Sequence, residues 1–221
     1  SSSKWNFKTY KVRKLSFEEQ EKIKLLTEKQ VSLTLIEPTE TGLKKSIMDA
    51  TGPVRSYLKS ENIHDYEDQK QGKESKVMIQ SIIHTGFKII KSHASLYRPS
   101  TKRGDPRIWF YGLTKIAEPN DIIAITYFDS QLQVFNLTKI DVRKLINSSI
   151  LNSFQELISA INSTKNEVAF ELLSMLRKIA NGGPIPSIVD ADTSVGRTLE
   201  AALGIDINSS KQPDYKGIEL K

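Results

Sequence analysis

Apolar and polar positions follow two different periods along this chain, and the change of period divides it. Around residues 17–28 the apolar positions recur at helical spacing. Phe17, Ile23 and Leu26 fall near one face, and Glu and Lys occupy the rest. Ser16 and Glu19 stand three apart at its start, the capping-box pattern in which each side chain satisfies a backbone amide of the other. A strand-like run covers 31–36 and stops before Pro38. Residues 42–59 predict two short helices broken at Gly52-Pro53, because proline lacks the amide that a continuing helix needs. The polar stretch 65–76, with Gln69, Gln71 and Gly72, predicts a mobile loop.

From Val77 the pattern shortens. Runs at 77–83, 87–96, 107–111, 122–128 and 132–137 are rich in β-branched and aromatic residues. Turn formers separate them: Gly86, Pro99, Gly104-Asp105-Pro106, Glu118-Pro119-Asn120-Asp121 and Asp129-Ser130. Five strands at this spacing predict a mostly antiparallel sheet, so residues 1–145 read as an α+β domain with helices first and sheet second. Helical spacing returns at 151–161 and 168–179, with Asn162-Ser163-Thr164 as a predicted break and Gly182-Gly183-Pro184 as the stop.

Composition narrows the function classes. Of 221 residues, 38% are hydrophobic and 26% charged, which suits a globular chain, and the apolar run Ile122-Ile123-Ala124-Ile125 is far short of the roughly 20 residues a membrane span requires. The absence of cysteine excludes disulfides, thiolate zinc sites and a cysteine nucleophile. The opening Ser1-Ser2-Ser3-Lys4-Trp5 has no apolar signal-peptide core, so a cytoplasmic location is expected.

The net charge of +6 is unevenly distributed. Residues 1–145 carry 25 Lys and Arg against 17 Asp and Glu, whereas residues 146–221 carry 7 against 9. This asymmetry suggests a polyanion-binding part joined to a part that collects carboxylates. The densest basic stretch is 88–115, where Lys88, Lys91, Arg98, Lys102, Arg103, Arg107 and Lys115 face only Asp105, with Tyr97, Trp109, Phe110 and Tyr111 interleaved. Within it, the loop from Tyr97 to Arg107 is framed by strands. Arg98, Lys102, Arg103 and Arg107 are the expected DNA contacts, with Ser100 and Thr101 adding phosphate contacts. A solvated loop over core aromatics is the plainer alternative. His64, His84 and His93 lack metal-ligand spacing and receive no catalytic role.

The last residues carry the chemistry. Ser194 and Gly204 bracket a predicted short helix bearing Glu200, and Pro213 holds the chain extended before Asp214. In Ile218-Glu219-Leu220-Lys221 alternation places Glu219 and Lys221 on one face of a strand. Two carboxylates are hard oxygen donors of the kind Mg²⁺ prefers, and a neighbouring ammonium can orient water and offset charge building on phosphorus. Spacing alone leaves a solvated salt-bridging face as the more frequent explanation.

Gly196, Thr198 and Glu200, followed by Pro213-Asp214-Tyr215 and Ile218-Glu219-Leu220-Lys221, resemble the MvaI/BcnI family of restriction endonucleases, and more distantly the mismatch-repair nickase MutH. The resemblance covers roughly 168–221. It implies a PD-(D/E)xK nuclease fold with Glu200, Asp214, Glu219 and Lys221 as catalytic residues, Asp214 and Glu219 as metal ligands, and Mg²⁺ as cofactor. Asp214, Glu219 and Lys221 would be the core of the site, with Glu200 assisting.

The implied organisation is an N-terminal basic DNA-binding or effector domain at 1–145, a helical linker at 146–165, and the opening part of a nuclease α/β domain at 166–221. The family's domain continues past this strand, so the expectation is a protein about twice this length and no cleavage by residues 1–221 alone. A separate domain ahead of the nuclease is similar in layout to restriction enzymes such as EcoRII and UbaLAI, although the early helices do not favour a simple barrel. The implied activity is metal-dependent hydrolysis of double-stranded DNA at a short specific site. A non-catalytic DNA-binding module and a MutH-like nickase are the alternatives. Oligomeric state and recognition sequence are left open.

Overall fold

The computed structural model describes residues 7–182. The chain divides into two units, Ser1–Ile161 and Asn162–Lys221, and the sheet belongs to the first. Its elements in order are α1 (Phe17–Glu28), β1 (Thr34–Ile36), α2 (Glu40–Lys45), β2 (Met48–Asp49), α3 (Gly52–Ser60), β3 (Val77–His84), β4 (Ile89–Tyr97), β5 (Arg107–Phe110), β6 (Ile123–Phe128), β7 (Gln131–Asn136), α4 (Val142–Ile146) and α5 (Ser153–Asn181).

The architecture is α+β, as the pattern predicts. Seven strands pair in the order β1-β6-β7-β3-β4-β5-β2, antiparallel throughout except where β3 runs parallel to β7. Asp129 and Ser130 both adopt positive φ, which matches the twist of a tight hairpin and joins β6 to β7. Ile36 on one edge strand and Met48 on the other share one core, so the sheet is curled.

Two cores explain why the 122–125 run lacks a polar face. Ile123 and Ile125 point into a core with Val134, Leu132, Ile83, Val54 and Leu58. Ile122 and Ala124 point the other way, toward Ile23 and Leu26 of α1 and Phe154, Leu157, Ile158 and Ile161 at the start of α5. β6 is therefore covered on both faces, as a continuous apolar run requires. Phe135 and Phe154 meet edge to face at 5.1 Å between ring centres, an arrangement favoured by their opposed ring quadrupoles.

Several local expectations change. The capping box forms, with Glu19 N donating to Ser16 Oγ and Ser16 N donating to Glu19 Oε1, but Phe17 is exposed and the buried residues of α1 are Glu19, Ile23 and Leu26. Gly52-Pro53 does not break a helix. It begins α3, where the missing proline amide has no intrahelical partner to lose. The separation from α2 is made by Ser46, in the left-handed region, and by the short β2.

The stretch 65–76 is not a loose loop either: Tyr66 and Gln69 are buried, and the Gln69 amide donates to Ser75 O (2.7 Å) and Leu96 O (2.9 Å). No break occurs at Asn162-Ser163-Thr164, and α5 runs without interruption from Ser153 to Asn181. These residues only weaken a helix, whereas glycine or proline would obstruct it. The Asn152 carboxamide starts α5 by accepting from Gln155 N at 2.7 Å.

Candidate nucleic-acid interface

The basic stretch 88–115 is split by the sheet. Lys88 and Lys91 stand at the start of β4, and Arg98 follows its end. Nine strand residues place those ends about 26 Å apart. Lys115 lines a different cleft, with His84 and Asn136. Trp109 and Phe110 are core residues, so of the interleaved aromatics only Tyr111 is well exposed, and it packs on His93. The net charge of the stretch therefore does not make one surface.

What remains is the β4–β5 connection, residues 98–106. Arg98 does not project from it. Its guanidinium donates to three backbone carbonyls, those of Gly104 (2.8 Å), Gln69 (3.0 Å) and Arg103 (3.3 Å), and so ties the loop to itself and to the 65–76 stretch. Gly72 N donates to Arg98 O, and the Gln71 amide to Pro99 O. Gly104 has φ of +65°, and a side chain there would collide with Gln71, so glycine is required for both reasons. Ser100, Thr101, Lys102 and Arg103 are exposed on this braced frame. Arg107 opens β5, paired in register with Tyr97 and with Asp49 of β2, and its buried Nε has no hydrogen-bond partner in the protein.

Two clefts border this loop, and they bring in residues that sequence reasoning missed. One, of about 570 Å³, is lined by Arg98, Arg103, Gly104 and Asp105 and also by Lys11, Asp49, Thr51, Gly52, Arg55 and Glu67. The second, of about 500 Å³, shares Lys11, Asp49 and Thr51 with it and adds Thr39, Lys45 and Arg107. Lys11 and Arg55 come from outside the densest basic stretch. The pairing of β2 with β5 and the bond from Ala50 N to Pro106 O set the start of α3, and with it Arg55, beside the loop, and Lys11 lines the same cleft.

The segment carrying Lys11 is anchored at Arg13. Both guanidinium arms of Arg13 meet the Glu19 carboxylate at 2.8 Å, its Nε donates to Asn120 O, and its backbone amide donates to Glu37. Burial pushes the Glu19 pKa up, but Arg13, the Ser16 amide and the Thr138 hydroxyl outweigh it and hold the carboxyl at about 2. Burial likewise pushes up the Tyr66 hydroxyl, which donates to Arg107 O.

His64 and His84 each contact a glutamine, Gln69 and Gln133. Among the described residues no three His, Asp or Glu side chains are grouped as a metal site requires, and no helix is long and apolar enough to cross a membrane. Glu200, Asp214, Glu219 and Lys221 lie outside the described residues.

The sequence model of the MvaI/BcnI restriction endonuclease family matches residues 173–221, and this C-terminal segment contains all four of those residues. The segment is therefore similar to a family of DNA-cleaving restriction enzymes, as the resemblance implied. No curated protein and no solved structure matches the chain.

Proposed function

We propose that this chain belongs to a magnesium-dependent, site-specific endonuclease of the restriction type, with residues 166–221 contributing the first part of a PD-(D/E)xK catalytic domain and residues 1–145 binding double-stranded DNA in the cytoplasm. The observation that carries the reading is the family match over 173–221, because it spans Glu200, Asp214, Glu219 and Lys221 together.

Asp214 and Glu219 fit magnesium by donor chemistry, both being hard carboxylates, and they would hold it. A magnesium ion bound there would supply Lewis acidity toward the scissile phosphate. Lys221 orients the attacking water and offsets the negative charge that builds on phosphorus. Glu200 assists by fixing Lys221 or a ligand water. In the N-terminal part, Lys102 and Arg103, with Ser100 and Thr101, meet DNA phosphates, and Arg107 faces the groove beside them. Arg98, expected as a contact, acts here as the brace of that loop.

The test is Asp214→Ala in the complete protein. Magnesium-dependent cleavage of duplex DNA falls below detection while duplex binding is kept. Cleavage at the unaltered rate would remove Asp214 from the mechanism. Binding without cleavage in the unaltered protein would make it a non-catalytic DNA-binding module.

A further inference from the structure

Lys11 and Arg55 are distant in the chain and converge on one point. A Cβ built on Gly52 would stand 3.6 Å from Lys11 Nζ and 3.8 Å from Arg55 Nη2, both ordinary contact distances. The two cations thus flank the space that glycine leaves open at the first position of α3. Lys11 takes part in no ion pair or hydrogen bond among the described residues, and its backbone is held in the left-handed region at φ of +50°. Arg55 uses Nη1 on Ala50 O at 2.6 Å, which aims the guanidinium and leaves Nη2 on the cleft side. Two like charges gathered without a carboxylate between them repel, unless an anion sits there.

A separate observation marks the same place. Thr51 is the N-cap of α3, yet its side chain makes no capping bond, and its buried hydroxyl has no partner in the protein. Buried polar groups are rarely left so. The first amides of α3 have no partner within the helix. Asp49, Glu67 and Asp105 also line the cleft, so four cations face three carboxylates and the charge balance is narrow. Glu67 is engaged by Lys59 at 3.4 Å. The position of Lys11 and Arg55, rather than net charge, singles out the seat.

We propose that Gly52, Lys11 and Arg55 form a seat for a single phosphate group. The inference rests on the DNA-binding reading insofar as that phosphate belongs to a DNA backbone; a free phosphate offers the same chemistry. Gly52→Ala is the sharpest variant, because its methyl meets only ordinary contacts and removes no charge, yet occupies the seat. Lys11→Ala, at an exposed position, tests the same seat from the other side, and the Lys11→Ala/Arg55→Ala pair completes the set. Lys91→Ala, at the far end of β4, is the control.

Two measurements on the whole chain separate the sources. One is duplex DNA affinity by fluorescence anisotropy across a salt series. The other is the melting temperature in sodium phosphate against sodium chloride at matched ionic strength. The expected result is a salt slope lower by about 0.9 in Gly52→Ala and in Lys11→Ala, with no further fall in the double variant, since one phosphate is lost in each. Lys91→Ala keeps the original slope, and the variants also lose any rise in melting temperature specific to phosphate.

Unchanged slopes in all variants of a DNA-binding chain, with no phosphate-specific rise lost, would overturn the seat and leave the DNA-binding reading standing. Unchanged slopes with that rise lost would keep the seat and assign it to free phosphate. A fall twice as large in the double variant would overturn the shared seat in favour of two separate contacts. A phosphate-specific rise lost in Gly52→Ala, in a chain that binds no duplex, would keep the seat and overturn the DNA reading. A chain that binds neither overturns both.

Discussion

Arg13, ahead of α1, and Arg98, at the start of the β4–β5 connection, use their guanidinium groups alike, whereas the cations beside Arg98 do not. Arg13 meets the Glu19 carboxylate with both arms, and Arg98 meets three backbone carbonyls. Lys102 and Arg103 are exposed on the frame that Arg98 builds, and Lys11 is left without a partner among the described residues. Equal charge thus serves two ends. Arginine bound to the chain's own oxygens sets shape, and its planar fork suits several acceptors at once. A cation whose donors remain free is available to a ligand. Separating the two kinds yields predictions that differ in what they change, stability or binding.

The largest effect is expected at Glu19. It is 2% exposed and carries bonds from Arg13, Ser16 and Thr138. Glu19→Ala leaves Arg13 without its carboxylate and breaks the capping box. A loss of about 2–4 kcal/mol is expected, because charged hydrogen bonds and a helix cap are lost together, seen as a large fall in the urea midpoint. The same group makes stability depend on acid. Its folded pKa lies near 2, below the ordinary 4.5. Its contribution is complete above about 4.5 and is lost as pH falls toward 2, to the extent of roughly 3 kcal/mol. Asp121 is shifted the same way: burial pushes its pKa up, but the Glu118 amide, Asn136 and Lys139 hold it down. Glu19→Gln should therefore flatten the acid limb without abolishing it. An unchanged limb in Glu19→Gln would mean that the Arg13 pair does not carry the shift.

Arg98 comes next. Arg98→Ala removes three bonds from one loop, with an expected loss of about 1–3 kcal/mol, and duplex affinity should fall with it because the frame for Lys102 and Arg103 loosens. Arg98→Lys should not restore either property, since an ammonium cannot reach three carbonyls in one plane. A variant that keeps full stability but loses DNA binding would return Arg98 to the role of a direct contact.

The same distinction marks what the sequence discloses. The capping box, the boundaries of α1 and the five long strands depend on neighbours within a few residues, so they are legible within a residue or two. β2 is two residues long and exists only because β5 pairs with it, and a long-range partner leaves no local mark. Gly52-Pro53 is ambiguous by nature, since proline ends a helix from within and begins one from its first turn. Gln69 looks like loop surface until its carbonyl partners, one of them Leu96, are known. In the candidate interface, the loop is legible from its charge, but the use of each cation is not. Whether Arg98 faces a phosphate or Gly104 O is decided by how the loop closes.

Lys102 and Arg103 give the smallest effect on stability and the cleanest test of the contrast. Both are exposed, and no ion pair with a side chain of the described residues holds either one. The double variant Lys102→Ala/Arg103→Ala should move stability by no more than about 0.5 kcal/mol, as surface substitutions do. Arg103 O can still accept from Arg98, because the backbone is unchanged. If each cation neutralises one phosphate, the salt slope of duplex binding falls by about 1.8, and affinity falls by a similar factor on different sequences. A change confined to one base position would instead place one of the pair on a base edge. A lowered melting temperature with an unaltered slope would show that the loop spends these cations on itself, as it spends Arg98.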